Sequence, residues 1–255
     1  MYTNRKSHRA SEKTTEVGEL GLFITAHSQR GSERQVNQDT VGIQNWRNFD
    51  ELKDSTQTEI SRSDLPALFL LADGVGGHEK GEVASRTAVD TITKTFESAP
   101  EDFEISSAVM EAHTNLVISS QYSRLPMGTT ILGLVMGISR VSFFNVGDSK
   151  GYKLSNSVIT QLTVEDRSNG GRRNSLTQCL GGGSRTPKAH RLDSEYHNGD
   201  KFVLLSDGVT DHVTDDEILR VISRSGSESA FKLCQRALSL GSGDDLSAIV
   251  IDCID

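Results

Sequence analysis

Three acidic segments flank apolar runs that lie far apart in the chain. Asp73 closes Leu70-Leu71-Ala72 and leads into Gly74-Val75-Gly76-Gly77-His78. Asp207 closes Val203-Leu204-Leu205-Ser206 and precedes Gly208. Asp244 and Asp245 come just before the apolar run 246–251. An apolar run ending in Asp-Gly reads as a buried strand that delivers a carboxylate to the edge of a sheet. Two or three such edges converging would place like charges in one pocket, where each raises the pKa of the others. A hard divalent cation removes that conflict, because Mg2+ and Mn2+ take carboxylate, carbonyl and water oxygens. Each segment alone is weak, since Asp-Gly after a strand is more often a turn. Gly74, Gly76 and Gly77 match neither the P-loop nor the dinucleotide-binding spacing.

The elements that must position these residues can be read from period and punctuation. Strands are expected at 21–26, 40–44 and 67–72. Between them, 46–66 is polar and patternless and reads as a long surface loop. From Gly81 the period becomes helical, with Val83, Ala84, Ala88, Ile92 and Phe96 on one face, and 105–122 repeats it. Closely spaced short runs at 129–136, 141–146, 151–154 and 158–162 predict an antiparallel meander. Residues 169–174 form a loop by composition, and 175–180 reads as a short helix. A buried strand at 201–206 precedes a helix capped by Thr214 with Glu217 three residues on. A helix at 228–240 and a strand at 246–253 complete an α+β layered fold with helices covering the outer sheet faces. Residues 1–18 have no apolar period and read as a flexible tail, leaving 19–255 as one domain.

The chain has 255 residues, enough to bury a sizeable core, and a net charge of −8. That acidity argues against a nucleic-acid partner. It does not forbid an anionic substrate where metal ions supply local positive charge. Cys179, Cys234 and Cys253 form no CxxC pair and have no zinc spacing, so they read as unpaired thiols of a reducing compartment. No apolar stretch reaches the roughly 18–20 residues that span a bilayer, and the N-terminus lacks a signal-peptide core. A cytoplasmic, monomeric protein with no membrane partner is expected.

Taken together, the segments are far more specific. In order they are Arg34-Gln35-Val36-Asn37-Gln38-Asp39, Asp73-Gly74-Val75-Gly76-Gly77-His78, Gly128-Thr129-Thr130, Asn145-Val146-Gly147-Asp148-Ser149-Lys150, Gln161-Leu162-Thr163, Ser206-Asp207-Gly208-Val209-Thr210-Asp211 and Gly241-Ser242-Gly243-Asp244-Asp245-Leu246-Ser247. This series resembles the PPM/PP2C family of metal-dependent Ser/Thr protein phosphatases, in its bacterial form, over nearly the whole chain. The resemblance implies a four-layer α-β-β-α sandwich around a central antiparallel β-sandwich, with two Mn2+ or Mg2+ ions at one end. It implies that Asp73 bridges both ions, that the Gly74 carbonyl binds one, and that Asp207 and Asp244 bind the other. Asp148 maps to a ligand of a third, looser ion. Arg34 maps to the contact with substrate phosphate, and Asp39 to the group that orients the water at the metals. Gln38, His78 and Asp245 are expected beside these groups. The substrates implied are phosphoserine and phosphothreonine proteins, in opposition to a Ser/Thr kinase.

Such chemistry suits the residues. Two ions about 3.5–4 Å apart activate water and clamp phosphoryl oxygens, and phosphoryl transfer needs positioning and charge neutralisation more than a protein nucleophile. Several departures stand out. Gln38 replaces the usual Glu, and Asp245 the usual Asn. Val75 occupies the position where eukaryotic members carry a His that protonates the leaving alcohol. The flap segment of bacterial members is nearly absent, since 163–168 is followed almost at once by 176–181. Arg172 and Arg173, in the short remaining loop, are either solvated charges or phosphate contacts. Two other readings stay open: a noncatalytic module that captures phosphoproteins, and a phosphatase of small phosphate esters.

Overall fold

The computed structural model describes residues 21–44, 46–47, 55–75, 80–168, 175–182 and 186–254. The expected tail 1–18, His78, Arg172 and Arg173 lie outside the described residues. One sheet has the order β4 (Ser55–Ile60), β1 (Gly21–Gln29), β12 (Leu246–Ile254), β11 (Lys201–Leu205), β8 (Lys150–Ser155) and β9 (Val158–Gln161). The other has the order β10 (His190–Glu195), β7 (Arg140–Val146), β6 (Ile131–Met136), β5 (Ala67–Asp73), β2 (Asp39–Ile43) and β3 (Trp46–Arg47). Every pairing in both sheets is antiparallel.

Helices α1 (Gly81–Ser98) and α2 (Ile105–Ser123) cover the β5 sheet. The single turn α3 (Asp207–Thr210), with α4 (Asp215–Ser225) and α5 (Ser229–Ser239), covers the other. The result is the expected four-layer α-β-β-α sandwich.

Strand β5 shows why its apolar run is unbroken. Ala67, Phe69 and Leu71 enter the core between the sheets, while Leu68, Leu70 and Ala72 pack with Ala84, Ala88 and Ile92 of α1. A strand buried on both faces has no polar alternation to show. Strand β12 does the same: Ile249 and Ile251 point between the sheets, and Leu246, Ala248 and Val250 meet α4 and α5. Burying one such side chain stabilises by about 1.5–3 kcal/mol, so these two strands form rigid supports for the aspartates at their ends. Helix α4 carries the expected capping box, with the Thr214 N–H donating to Glu217 Oε2 at 3.2 Å.

Two expectations are corrected, and one strand goes beyond them. Segment 46–66 is not one loop: it contributes β3 and the edge strand β4. Segment 175–180 is not helical but extended, with bridges from Leu176 to Arg167 and from Leu180 to Thr129. The edge strand β10 was not expected at all. Cys234 and Cys253 are buried, Cys179 is half-buried, and all three are free thiols. Among the described residues, no helix is long and apolar enough to cross a membrane.

Candidate metal centre

Asp73, Asp207, Asp244, Asp148 and Arg34 line one cleft of about 490 Å3 at one end of the sandwich. Asp73 is the last residue of β5, and its backbone is fixed from both sides. Its N–H donates to Thr130 Oγ1 at 3.0 Å, and its carbonyl accepts from Thr130 N at 2.8 Å and from Thr129 Oγ1 at 2.9 Å. The Gly74 N–H donates to the Gln38 carbonyl at 3.1 Å. Asp207 opens α3 beyond β11, where Ser206 and Ser247 tie the two strand ends together. Asp211 follows one turn later on the same face, and its N–H donates to the Asp207 carbonyl at 2.8 Å.

Asp148 sits in the β7–β8 turn after Gly147, whose φ of +109° favours glycine. A Cβ at Gly147 would also stand 2.7 Å from Thr130 Cγ2.

Asp244 precedes β12 and meets Arg34 in a two-pronged pair. Arg34 Nε donates to Oδ1 at 2.6 Å and Nη2 to Oδ2 at 2.7 Å. The approach requires Gly31, because a Cβ there would lie 2.2 Å from the Asp244 carbonyl.

The other expected residues lie off the cleft wall. Asp39 is buried, opposite Asp73 in the β2–β5 ladder. The Gln38 side chain packs against Gly81 at the start of α1. Asp245 is buried and not solvated: Oδ1 accepts from Gly31 N at 2.9 Å and Oδ2 from Gln38 N at 2.8 Å. It ties the Arg34 loop to the start of β12.

Burial, then the charges of Asp39 and Asp207, hold the Asp73 carboxyl well above the usual carboxylate range. Burial and the charge of Asp245 push Asp39 up to about 8, against hydrogen bonds from Ser247 and Ser206. Burial, then Asp148, raises Asp207 to about 6.

Arg167 and Asp211 belong to the same network, although neither is among the expected site residues. Arg167 donates to Asp148, Asp207 and Asp211 at once. A signal existed for Asp211, whose four-residue spacing from Asp207 is one helical turn. Arg167, a lone arginine in a polar loop, offered none.

The donor set suits a hard cation: carboxylates and carbonyls, with Asp73 held in a like-charge setting that a divalent ion would relieve. Among the described residues, no three acidic, His or Cys side chains stand ready to share one ion. Arg34 and Arg167 hold Asp244, Asp148 and Asp207 instead.

Residues 27–232 match the family model described as protein phosphatase 2C. The chain is 27% identical over 252 residues to the serine/threonine phosphatase stp of Listeria monocytogenes, covering 88% of this chain and 93% of that protein. The crystal structure of the Mycobacterium tuberculosis serine/threonine phosphatase PstP/Ppp superposes with a TM-score of 0.75 at 27% identity, covering 92% of this chain and all of that one. The catalytic domain of PstP in complex with 2 manganese ions superposes with a TM-score of 0.74 at the same identity and coverage. With its motifs, its four layers and its acidic cleft in agreement, the chain belongs to the protein phosphatase 2C family, as a phosphatase of bacterial type.

Proposed function

We propose that the chain hydrolyses phosphoserine and phosphothreonine in proteins, with Mn2+ or Mg2+ held by Asp73, the Gly74 carbonyl, Asp207 and Asp244, and that it opposes a Ser/Thr kinase. The convergence of Asp73, Asp207 and Asp244 from three strand ends onto one cleft carries this reading. Two such ions supply activated water and charge neutralisation at the phosphoryl group.

The chain's own residues do the rest. Arg34 sits on the cleft wall with a planar fork that suits two phosphate oxygens. Its present partner, Asp244, holds it at the place where substrate enters. Asp39 stands opposite Asp73 in the β2–β5 ladder and orients the water held beside it. The Cys179 thiol also lines the cleft, but burial raises its pKa, which keeps it protonated and a poor nucleophile. Among the described residues, no histidine lines the cleft. In this reading water held at the metal site would attack, and water or substrate would supply the leaving proton.

Ser175, Leu176, Cys179 and Gly182 form the described part of the wall on that side of the cleft. A module that only captured phosphoproteins would have no need to bring Asp73, Asp207 and Asp244 to one cleft. Incubation of the folded protein with a phosphothreonine peptide and ample Mn2+ tests the proposal. Phosphate release is expected, and an inert protein under those conditions overturns it.

A further inference from the structure

The Arg167 guanidinium reaches three carboxylates. Its Nε donates to Asp148 Oδ2 at 2.6 Å, Nη1 to Asp211 Oδ1 at 2.8 Å and Nη2 to Asp207 Oδ2 at 3.1 Å. Its side chain is 21% exposed and that of Asp148 only 5%, so this is no surface ion pair.

The preceding residue imposes the position. Asp166 N donates to the Gly147 carbonyl at 2.9 Å, and Gly147 N donates back to Asp166 Oδ2 at 2.9 Å. The other carboxylate oxygen, Oδ1, accepts from Gln178 Nε2 at 2.8 Å and stands 2.9 Å from His190 Nε2. On the far side, Arg167 bridges to Leu176, and the Ser168 N–H donates to the Ser175 carbonyl at 3.1 Å. The connection is thus stitched down before and after Arg167, next to the turn that carries Asp148.

A guanidinium keeps its charge at any working pH. Burial opposes the charge here, and the hydrogen bonds to Asp211 and Asp148 outweigh it. A small divalent ion on Asp148 needs a carboxylate oxygen at about 2.0–2.1 Å. Oδ2 of Asp148 already faces Nε, and a second cation there would meet a fixed positive charge.

We propose that Arg167 is a built-in cation on the Asp148 side of the cleft, which confines divalent ions to the Asp73–Asp207–Asp244 side and takes the place of a third ion. The inference rests on the metal-centre reading above, and it revises the role expected for Asp148 from metal ligand to partner of Arg167.

The test counts ions instead of turnover. The metal-stripped full chain is titrated with Mn2+, and free Mn2+ is read by electron paramagnetic resonance. Arg167→Met is expected to bind one more Mn2+ per chain than wild type. The double variant Arg167→Met/Asp148→Asn loses that extra site, and Arg167→Lys binds the wild-type number. Arg167→Gln, which keeps hydrogen-bond donors without the charge, replaces Arg167→Met if the latter does not melt cooperatively. Equal ion counts in wild type and the neutral variant overturn the inference, as does an extra site that survives Asp148→Asn. Absence of Mn2+ binding in wild type overturns the proposed function instead, and an Asp148-dependent gain in the neutral variant would still support the inference.

Discussion

Asp39 and Asp73 stand opposite each other as the pair that closes the β2–β5 ladder. Like charges placed so are destabilising, and burial raises both carboxyls far from their ordinary range. The fold thus holds in place two acids that favour a proton or a cation between them.

Stability of the metal-free protein should therefore fall as pH rises. Asp39 moves from an ordinary value of 3.8 to about 8 on folding, so the folded chain keeps a proton that the unfolded chain has released. Folding takes up protons between about pH 4 and 8, and stability is lost with rising pH through that window. Thermal melts of the chelated protein from pH 5 to 8 should show a falling midpoint, and saturating Mn2+ should flatten the trend. A midpoint that climbs across that range would contradict the buried-pair reading.

Mn2+ should stabilise the fold and a chelator should reverse the effect. At about 100 times the dissociation constant the gain is about 2.7 kcal/mol, or about 5–11 °C for a chain of this size. Asp73→Asn should abolish the shift in a calorimetric scan while leaving a cooperative melt. A full shift in that variant would remove Asp73 from the ligand set.

Arg34 should separate metal binding from phosphate handling. Arg34→Ala frees both oxygens of Asp244, so Mn2+ affinity is expected to hold or rise severalfold. Loss of the fork should lower kcat/KM on a phosphopeptide by about 10–100-fold, or about 1.4–2.7 kcal/mol. Arg34→Lys should recover little, because an ammonium cannot grip two oxygens in a plane. Unchanged kcat/KM in Arg34→Ala would contradict its proposed contact with phosphate.

Asp245→Asn should weaken the loop that carries Arg34. The carboxylate accepts from Gly31 N and Gln38 N, and an amide offers only one acceptor for those two donors. Leaving one buried N–H unpaired costs about 1–3 kcal/mol, which lowers the melting midpoint by about 2–12 °C. An unaltered midpoint would show that the loop does not depend on this tie.

What the sequence made legible depended on burial. Strands β5, β11 and β12 were plain because they are covered by a sheet on one face and helices on the other, which forces continuous apolar runs. The edge strands β4 and β10 were not, because Ser-Thr-Gln-Thr-Glu and His-Arg-Leu-Asp-Ser-Glu face solvent and carry little apolar period. The cleft aspartates were legible for a similar reason, since each ends or begins a buried run. Arg167 was hidden because its direction depends on the lock between Asp166 and Gly147, nineteen positions apart in the chain. The pairing of Arg34 with Asp244 was equally invisible, since it spans 210 positions and depends on contact between two loops.

The most direct measurement is phosphate release from a phosphothreonine peptide by the chelated protein as Mn2+ is added back, for wild type and Asp73→Asn side by side. Wild type should be inactive without metal and regain turnover as Mn2+ saturates, while folded Asp73→Asn stays inactive at every concentration. Turnover in the chelated wild type, or near-native rates in Asp73→Asn, would contradict a metal centre built on Asp73.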